Sequence, residues 1–119
     1  MSNQRYASAV RNATLTGDDN AKVSGNHGVK AVLDVTVVPG VDTVQLVIEG
    51  KDPQSGGYYT ILQSVAQAGA GRYVLTVLPG IAVAANVSAS DVLPDTYRAR
   101  VVHSAGTNFT YSLSLTELG

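Results

Sequence analysis

The sequence contains no cysteine and no tryptophan among its 119 residues. The absence of cysteine excludes a disulfide framework, a thiolate metal site and a cysteine nucleophile, so the fold has to be stabilised by packing. Charged residues are also scarce, at 14% of the chain, with eight Lys and Arg against nine Asp and Glu. Because these charges are scattered and form no basic cluster, we expect no nucleic-acid partner.

Long hydrophobic runs are missing as well. The longest weakly charged stretch, residues 73–90, is interrupted by Pro79-Gly80, and it is therefore not expected to span a membrane. The first twenty residues lack the apolar stretch of a secretory signal, so we expect synthesis in the cytoplasm of a cell without secretion by a signal peptide. The sequence predicts a chain with no membrane partner.

The remaining composition favours β-structure. Hydrophobic residues make up 45% of the chain, and apolar residues alternate with polar ones in several short segments separated by Gly and Pro turns. The alternating apolar positions are Leu33, Val35, Val37; Val44, Leu46, Ile48; Tyr59, Ile61; Tyr73, Leu75, Val77; Tyr97, Ala99, Val101; and Phe109, Tyr111, Leu113, Leu115. This pattern predicts an all-β, immunoglobulin-like or fibronectin III-like antiparallel sandwich of about seven strands.

The first 29 residues have a different character from the rest of the single domain. They are rich in Asn, Ser, Gly and Asp, and we divide the chain into an N-terminal arm with a first strand and loop (1–29) and a sandwich core (30–119). One hypothesis is an arm that is mobile in the free protein and orders against a partner through Tyr6, Val10, Arg11 and Leu15. The alternative is that residues 6–15 form the first strand of the sandwich.

No set of residues predicts an active site. The two histidines, His27 and His103, lie in separate segments, and no serine lies in a G-x-S-x-G elbow. The Asp18-Asp19-Asn20 segment offers oxygen ligands but lacks the spacing of a calcium loop. We therefore expect no enzymatic activity, no catalytic residue, no cofactor and no required metal.

Three residues on the predicted strands are candidates for partner contact. Arg98 and Arg100 share one strand face, which is either simply solvated or an anchor for a partner's carboxylates. Tyr58 is followed by Tyr59, and one of two adjacent strand residues has to point away from the core. From residue 53 to residue 90 the only charge is Arg72, so this segment is either a neutral solvated surface or a contact face.

The segment Leu93-Pro94-Asp95-Thr96-Tyr97-Arg98-Ala99-Arg100-Val101 resembles the corner before the penultimate strand of fibronectin type III and related sandwiches. The resemblance implies that Leu93 and Tyr97 are buried and hold the corner, and that the Tyr97 hydroxyl bonds back to the backbone.

A wider resemblance covers residues 31–115. The segments VLDVTVVPG, VQLVIEGKDPQSGGYYTIL, YVLTVLPGIAVAANVSASDVLPDTYRARVVHS and NFTYSLSL resemble small virion-associated proteins of tailed bacteriophages. The resemblance implies a capsid decoration or cement protein that is located in the virion and binds the outer surface of the head. Its partners would be the major capsid protein or other virion subunits, with a homo-oligomer such as a trimer on the shell. The alternative is a tail-associated or surface recognition module that binds a glycan or a host protein.

Overall fold

The computed structural model describes residues 3–119, which form strands and loops with no helix in that range. The strands are β1 (Asn3–Arg11), β2 (Leu15–Thr16), β3 (Asn20–Ala21), β4 (Gly28–Val37), β5 (Val44–Lys51), β6 (Tyr58–Gln63), β7 (Gly71–Val77), β8 (Ser88–Ala89), β9 (Thr96–His103) and β10 (Phe109–Leu118). Strands β2, β3 and β8 have two residues each, and the other seven have six or more. The predicted all-β sandwich of about seven strands is confirmed.

The strands form two packed sheets. The first sheet has the order β1-β10-β4-β7-β8, and the second has the order β2-β9-β5-β6, with β3 also paired to β9. Every pair is antiparallel except β7 and β8, which run parallel. The last long strand therefore lies in the same sheet as the first, whereas immunoglobulin constant domains place their last strand in the other sheet.

The core lies between the sheets and is built from the alternating positions. In β4 the inward side chains are Val29, Ala31, Leu33 and Val35, and the corresponding rows of β5, β9 and β10 are buried against them. A side-chain period of two in a strand produces this arrangement. Val37 differs from the prediction because it is 55% exposed. In the pairing of β4 with β10, Tyr111 lies opposite Val35 but Thr110 lies opposite Val37, so Thr36 is an extra residue. This bulge reverses the alternation and takes Val37 out of the inward row.

A β-bulge in the pairing of β5 with β6 changes which residues of β6 face the core. Ile48 is paired with Leu62 but the next residue, Glu49, is paired with Thr60, so Ile61 is the extra residue. Leu62 is therefore the buried residue of β6, and Ile61 packs only partly against the core. The predicted inward row of Tyr59 and Ile61 is wrong in this respect, because the extra residue changes the alternation. Tyr59 lies opposite Gly50 near the end of the sheet, where it is 48% exposed.

The N-terminal segment is part of the sandwich. Strand β1 runs along β10 from Asn3 opposite Thr116 to Arg11 opposite Phe109. The chain then crosses to the second sheet, where Leu15 pairs with Val101. This arrangement corresponds to the first-strand alternative and not to a mobile arm, although the segment is divided between two sheets. Met1 and Ser2, which belong to the predicted arm, lie outside the described residues.

Candidate functional site

The predicted corner is formed by buried side chains. Leu93 and Tyr97 are each 1% exposed. The Tyr97 hydroxyl donates to Oε2 of Glu117 at 2.6 Å, so the bond back to the backbone implied by the resemblance is wrong. Burial and the bond to the carboxylate together raise the pKa of Tyr97. The corner therefore links β9 of the second sheet to β10 of the first.

Glu117 is a buried carboxylate that the sequence analysis did not single out. Its Oε1 accepts hydrogen bonds from the Val23 N–H at 2.9 Å and from Asn26 Nδ2 at 3.0 Å. Burial alone raises the pKa of Glu117, but the hydrogen bonds from Tyr97, Asn26 and Val23 outweigh burial and hold it below its ordinary value. Glu117, which belongs to β10, thus connects the loop before β4 with Tyr97 of β9.

The outer face of the second sheet brings Arg98 and Arg100 together with Glu49. The Arg98 Nε donates to Glu49 Oε1 at 2.7 Å, and the Arg100 Nη1 donates to Oε2 at 3.3 Å. Pairing of β5 with β9 places Glu49 opposite Arg98. The two arginines therefore share one carboxylate of their own chain.

Tyr58 belongs to the same face. The Arg98 guanidinium lies 3.4 Å from the Tyr58 ring centroid, and the Lys51 ammonium lies 5.7 Å from it. Asp19 accepts from the Tyr58 hydroxyl at 2.8 Å and from Lys51 Nζ at 3.1 Å, and these contacts lower its pKa. We call Asp19, Glu49, Lys51, Tyr58, Arg98 and Arg100 the outer-face network.

The Asp18-Asp19-Asn20 segment brings no metal-ligand set together. Across residues 3–119, no group of three or more His, Asp or Glu side chains lies close enough to hold a metal ion. No helix in the same range is long and apolar enough to cross a membrane.

The four candidate contacts near the N-terminus are used within the fold to different degrees. Tyr6 packs against the core and its hydroxyl accepts from the Asp18 N–H at 2.9 Å. Arg11 lies 4.8 Å from the centroid of the Tyr111 ring and donates to the Ala7 carbonyl at 2.9 Å. Leu15 also packs against the core. Val10, at 63% exposed, has the most surface left for a partner.

The His103 side chain contacts two aromatic side chains of β10. Its Nε2 lies 2.8 Å from the Tyr111 hydroxyl, and its ring meets the Phe109 ring edge to face. Burial, with a smaller contribution from the Arg11 charge, lowers the pKa of His103. Burial also raises the pKa of Tyr111 to about 12. His27, by contrast, is exposed in the loop before β4.

The weakly charged segment 53–90 contains a groove of about 250 Å³ that is bordered by the exposed side chains Val65, Val74 and Val87. We call these three residues and the space between them the valine groove. Arg72, the only charge of the segment, also borders the groove and lies 3.5 Å from the Asp34 carboxylate. The groove is therefore mainly apolar, with the uncharged polar residues Ser64, Gln67 and Asn86 also in its lining and a single, partly balanced charge at its edge.

A second depression lies where the β5–β6 hairpin loop meets the loop before β9. This terminal cleft, of about 290 Å³, is lined by Lys51, Asp52, Pro53, Gly56, Tyr59, Pro94, Asp95 and Thr96. The Tyr59 ring lies directly over Gly50, where a Cβ atom would approach it to 2.6 Å. A side chain at position 50 would therefore displace the ring.

The carboxylates of the terminal cleft have different surroundings. Asp52 accepts from the Gln54 N–H at 3.0 Å and from the Ser55 hydroxyl at 2.8 Å, which lowers its pKa. Asp95 forms no salt bridge among residues 3–119. Sequence reasoning missed the cleft because it depends on how two loops pack, and the Tyr58-Tyr59 pair was its only signal.

Comparison with protein families and with curated proteins finds no match for the chain.

Proposed function

We propose that this protein is a non-enzymatic virion structural protein, a decoration or cement protein that binds the outer surface of an assembled phage head. The observation that carries the proposal is the valine groove. Three exposed valines surround it in a segment whose only charge is Arg72. Apolar surface grouped in this way is typical of a protein–protein contact.

The area required is available on a domain of this size. A standard protein interface buries about 800 Å² on each partner, which is roughly one-seventh of the accessible surface of 5891 Å². Full burial of an exposed valine contributes about 1.5–3 kcal/mol, and because the groove valines are already about half buried, each would contribute about half of that. The valine groove with its uncharged surroundings therefore supplies the apolar centre that such an interface needs.

The pairing of the charged side chains within the chain also supports the proposal. Arg98 and Arg100 are paired with Glu49, and Lys51 is paired with Asp19. Because these three cations are offset by two carboxylates, the outer-face network keeps a net charge of only +1 and contributes less to a partner than three free cations would. A decoration protein of this kind would stabilise the head by mass action, by about 2.7 kcal/mol at a free concentration one hundred times the dissociation constant.

The test uses two matched valine variants. Val87→Asp places a charge in the valine groove, whereas Val41→Asp places it at a turn position that is 92% exposed and outside the segment 53–90. Purified protein is sedimented with assembled heads that lack it, and the bound fraction is measured. We expect wild type and Val41→Asp to bind alike and Val87→Asp to bind at least tenfold more weakly, which corresponds to about 1.4 kcal/mol.

A wild-type protein that does not bind heads would refute the proposal. Equal binding by the two variants would remove the valine groove as the contact. A rise in the disruption temperature of the heads with added protein provides an independent readout of the same binding.

The terminal cleft favours a second candidate, a tail-associated or surface recognition module. Tyr59 is 48% exposed and lines this cleft together with Pro53 and Pro94, so its ring is available to stack on a ligand. Binding of the protein to a glycan array, and loss of that binding in Tyr59→Ala, would favour this candidate over the decoration role.

A further inference from the structure

The terminal cleft is negatively charged despite the presence of a lysine in its wall. Asp52 and Asp95 contribute two carboxylates to the lining. Lys51 contributes its stem, but its ammonium group lies 3.1 Å from Asp19 and forms part of the outer-face network. The cation of the wall is thus paired outside the cleft, whereas Asp95 has no ionic partner in residues 3–119.

The aromatic ring of the cleft is also unoccupied by a cation. The Tyr58 ring contacts the Arg98 guanidinium and the Lys51 ammonium, and the Tyr111 ring contacts the Arg11 guanidinium. Among the described residues no cation lies over the neighbouring Tyr59 ring, although that ring is half exposed. An exposed aromatic face attracts a Lys or Arg group most strongly when the pair is removed from water.

The outer-face network already shows this kind of recognition within the chain. There, the ring of Tyr58 and the carboxylate of Asp19 together hold Lys51, and Arg98 stacks on the same ring. Tyr59 and Asp95 provide the same two groups, a ring and a carboxylate, in a concave site with apolar walls. The difference is that residues 3–119 supply no cation for them.

We propose that the terminal cleft binds one basic side chain, Arg or Lys, of the protein partner. This inference rests on the proposed function in that the partner is a virion subunit, and it gives that subunit a basic residue at the contact. At about 290 Å³ the cleft lies at the lower limit of ligand pockets, which fits a single long side chain. The stem would pack against Pro53 and Pro94 while the cationic head meets the ring and the carboxylates.

The experiment is a chemical-shift titration of the isotope-labelled full chain with N-acetyl-arginine amide. The matched probe is N-acetyl-citrulline amide, which keeps the size and shape of the arginine side chain but carries no charge. We expect the arginine probe to shift the amide signals of Tyr59 and Thr96 and to bind at least threefold more tightly than the citrulline probe. The difference should shrink as salt is added.

Asp95→Asn and Tyr59→Ala test the two recognition groups, and Asp91→Asn is the control at an exposed aspartate outside the cleft. Asp95 is preferred to Asp52 because Asp52 also holds its own turn. We expect at least threefold weaker arginine binding in Asp95→Asn and Tyr59→Ala, and wild-type binding in Asp91→Asn.

Equal binding of the two probes, or equal binding by Asp95→Asn and Asp91→Asn, would overturn the inference. Shifts caused by maltose but not by the arginine probe would overturn it too and would assign the cleft to a neutral sugar. Because this titration contains no phage heads, its failure is distinguishable from failure of the sedimentation experiment with the valine variants.

Discussion

Removal of the Glu117 carboxylate is expected to destabilise the fold strongly, because this one group accepts three hydrogen bonds from two different parts of the chain. Tyr97 donates from the second sheet, and Val23 and Asn26 donate from the loop before β4. A hydrogen bond to a charged group contributes about 1.5–3 kcal/mol. The simple sum is too large, since water can reach Val23 and Asn26, which are not fully buried.

The buried Tyr97 hydroxyl determines how much stability is lost when the Glu117 carboxylate is removed. In Glu117→Ala it loses its acceptor while 1% exposed, and an unsatisfied buried group adds about 1–3 kcal/mol to the cost of the lost bonds. We therefore expect Glu117→Ala to reduce the free energy of unfolding by about 3–5 kcal/mol. Glu117→Gln keeps an oxygen for the loop and should cost only about 1–2 kcal/mol.

The contribution of Glu117 to stability should decrease at low pH. The pKa of Glu117 is lowered in the folded protein, so its contribution is present above the unfolded pKa of about 4.3 and is lost as pH falls through the folded value. The free energy of unfolding is measured with urea at pH 7, 5 and 3.5. Between pH 5 and pH 3.5 it should fall more in wild type than in Glu117→Gln. Asp91→Asn, which removes an exposed carboxylate, is the control. If wild type and Glu117→Gln lose stability in parallel, the carboxylate does not act as described.

Three further predictions concern stability. Leu93→Ala should lower the free energy of unfolding by about 2–5 kcal/mol through a cavity in the corner, and an unchanged denaturant midpoint would contradict this. Deletion of residues 2–28 should abolish cooperative folding, because it removes the strand paired with β10; a cooperative thermal transition of the truncated chain would show that β1 is dispensable. The pKa of His103 is lowered mainly by burial, so its stabilising contribution is present above the unfolded pKa of about 6.5 and is lost as pH falls. His103→Gln should therefore lose less stability than wild type between pH 7 and pH 5, and equal losses would show that His103 does not cause the change.

The core of the sandwich could be predicted from the sequence because alternation of apolar residues is a local signal. The inward rows of β5, β9 and β10 were all predicted correctly, since each depends only on the side-chain period of a strand. The bulge in β6 could not be predicted, because an extra residue is visible only in the pairing with β5. Tyr59 was expected in the core because the alternation does not show that this residue lies near the end of the sheet, opposite Gly50, and the terminal cleft was missed for that reason.

The sequence indicated the weakly charged segment 53–90. It did not indicate which residues pair with the charged side chains elsewhere in the chain. The shared face of Arg98 and Arg100 was evident from their spacing. That Glu49 lies opposite them depends on β5 pairing with β9 in one particular register, and residues about fifty positions apart give no local signal of this contact. The position of the last strand between β1 and β4 is likewise a long-range property.

The distribution of charge has a consequence for how the proposed interface would respond to salt. The valine groove has only Arg72 at its edge, and contact through apolar surface depends little on ionic strength. The terminal cleft combines Asp52 and Asp95 at the surface, and attraction between exposed charges weakens as the Debye length shortens to about 10 Å at 0.1 M salt. On the proposed function, added salt should therefore weaken head binding by wild type only as far as the cleft contributes. In Asp95→Asn binding should be weaker at low salt and less sensitive to salt than in wild type, because Asp52 is then the one carboxylate left in the cleft and burial of the valines is the main remaining attraction.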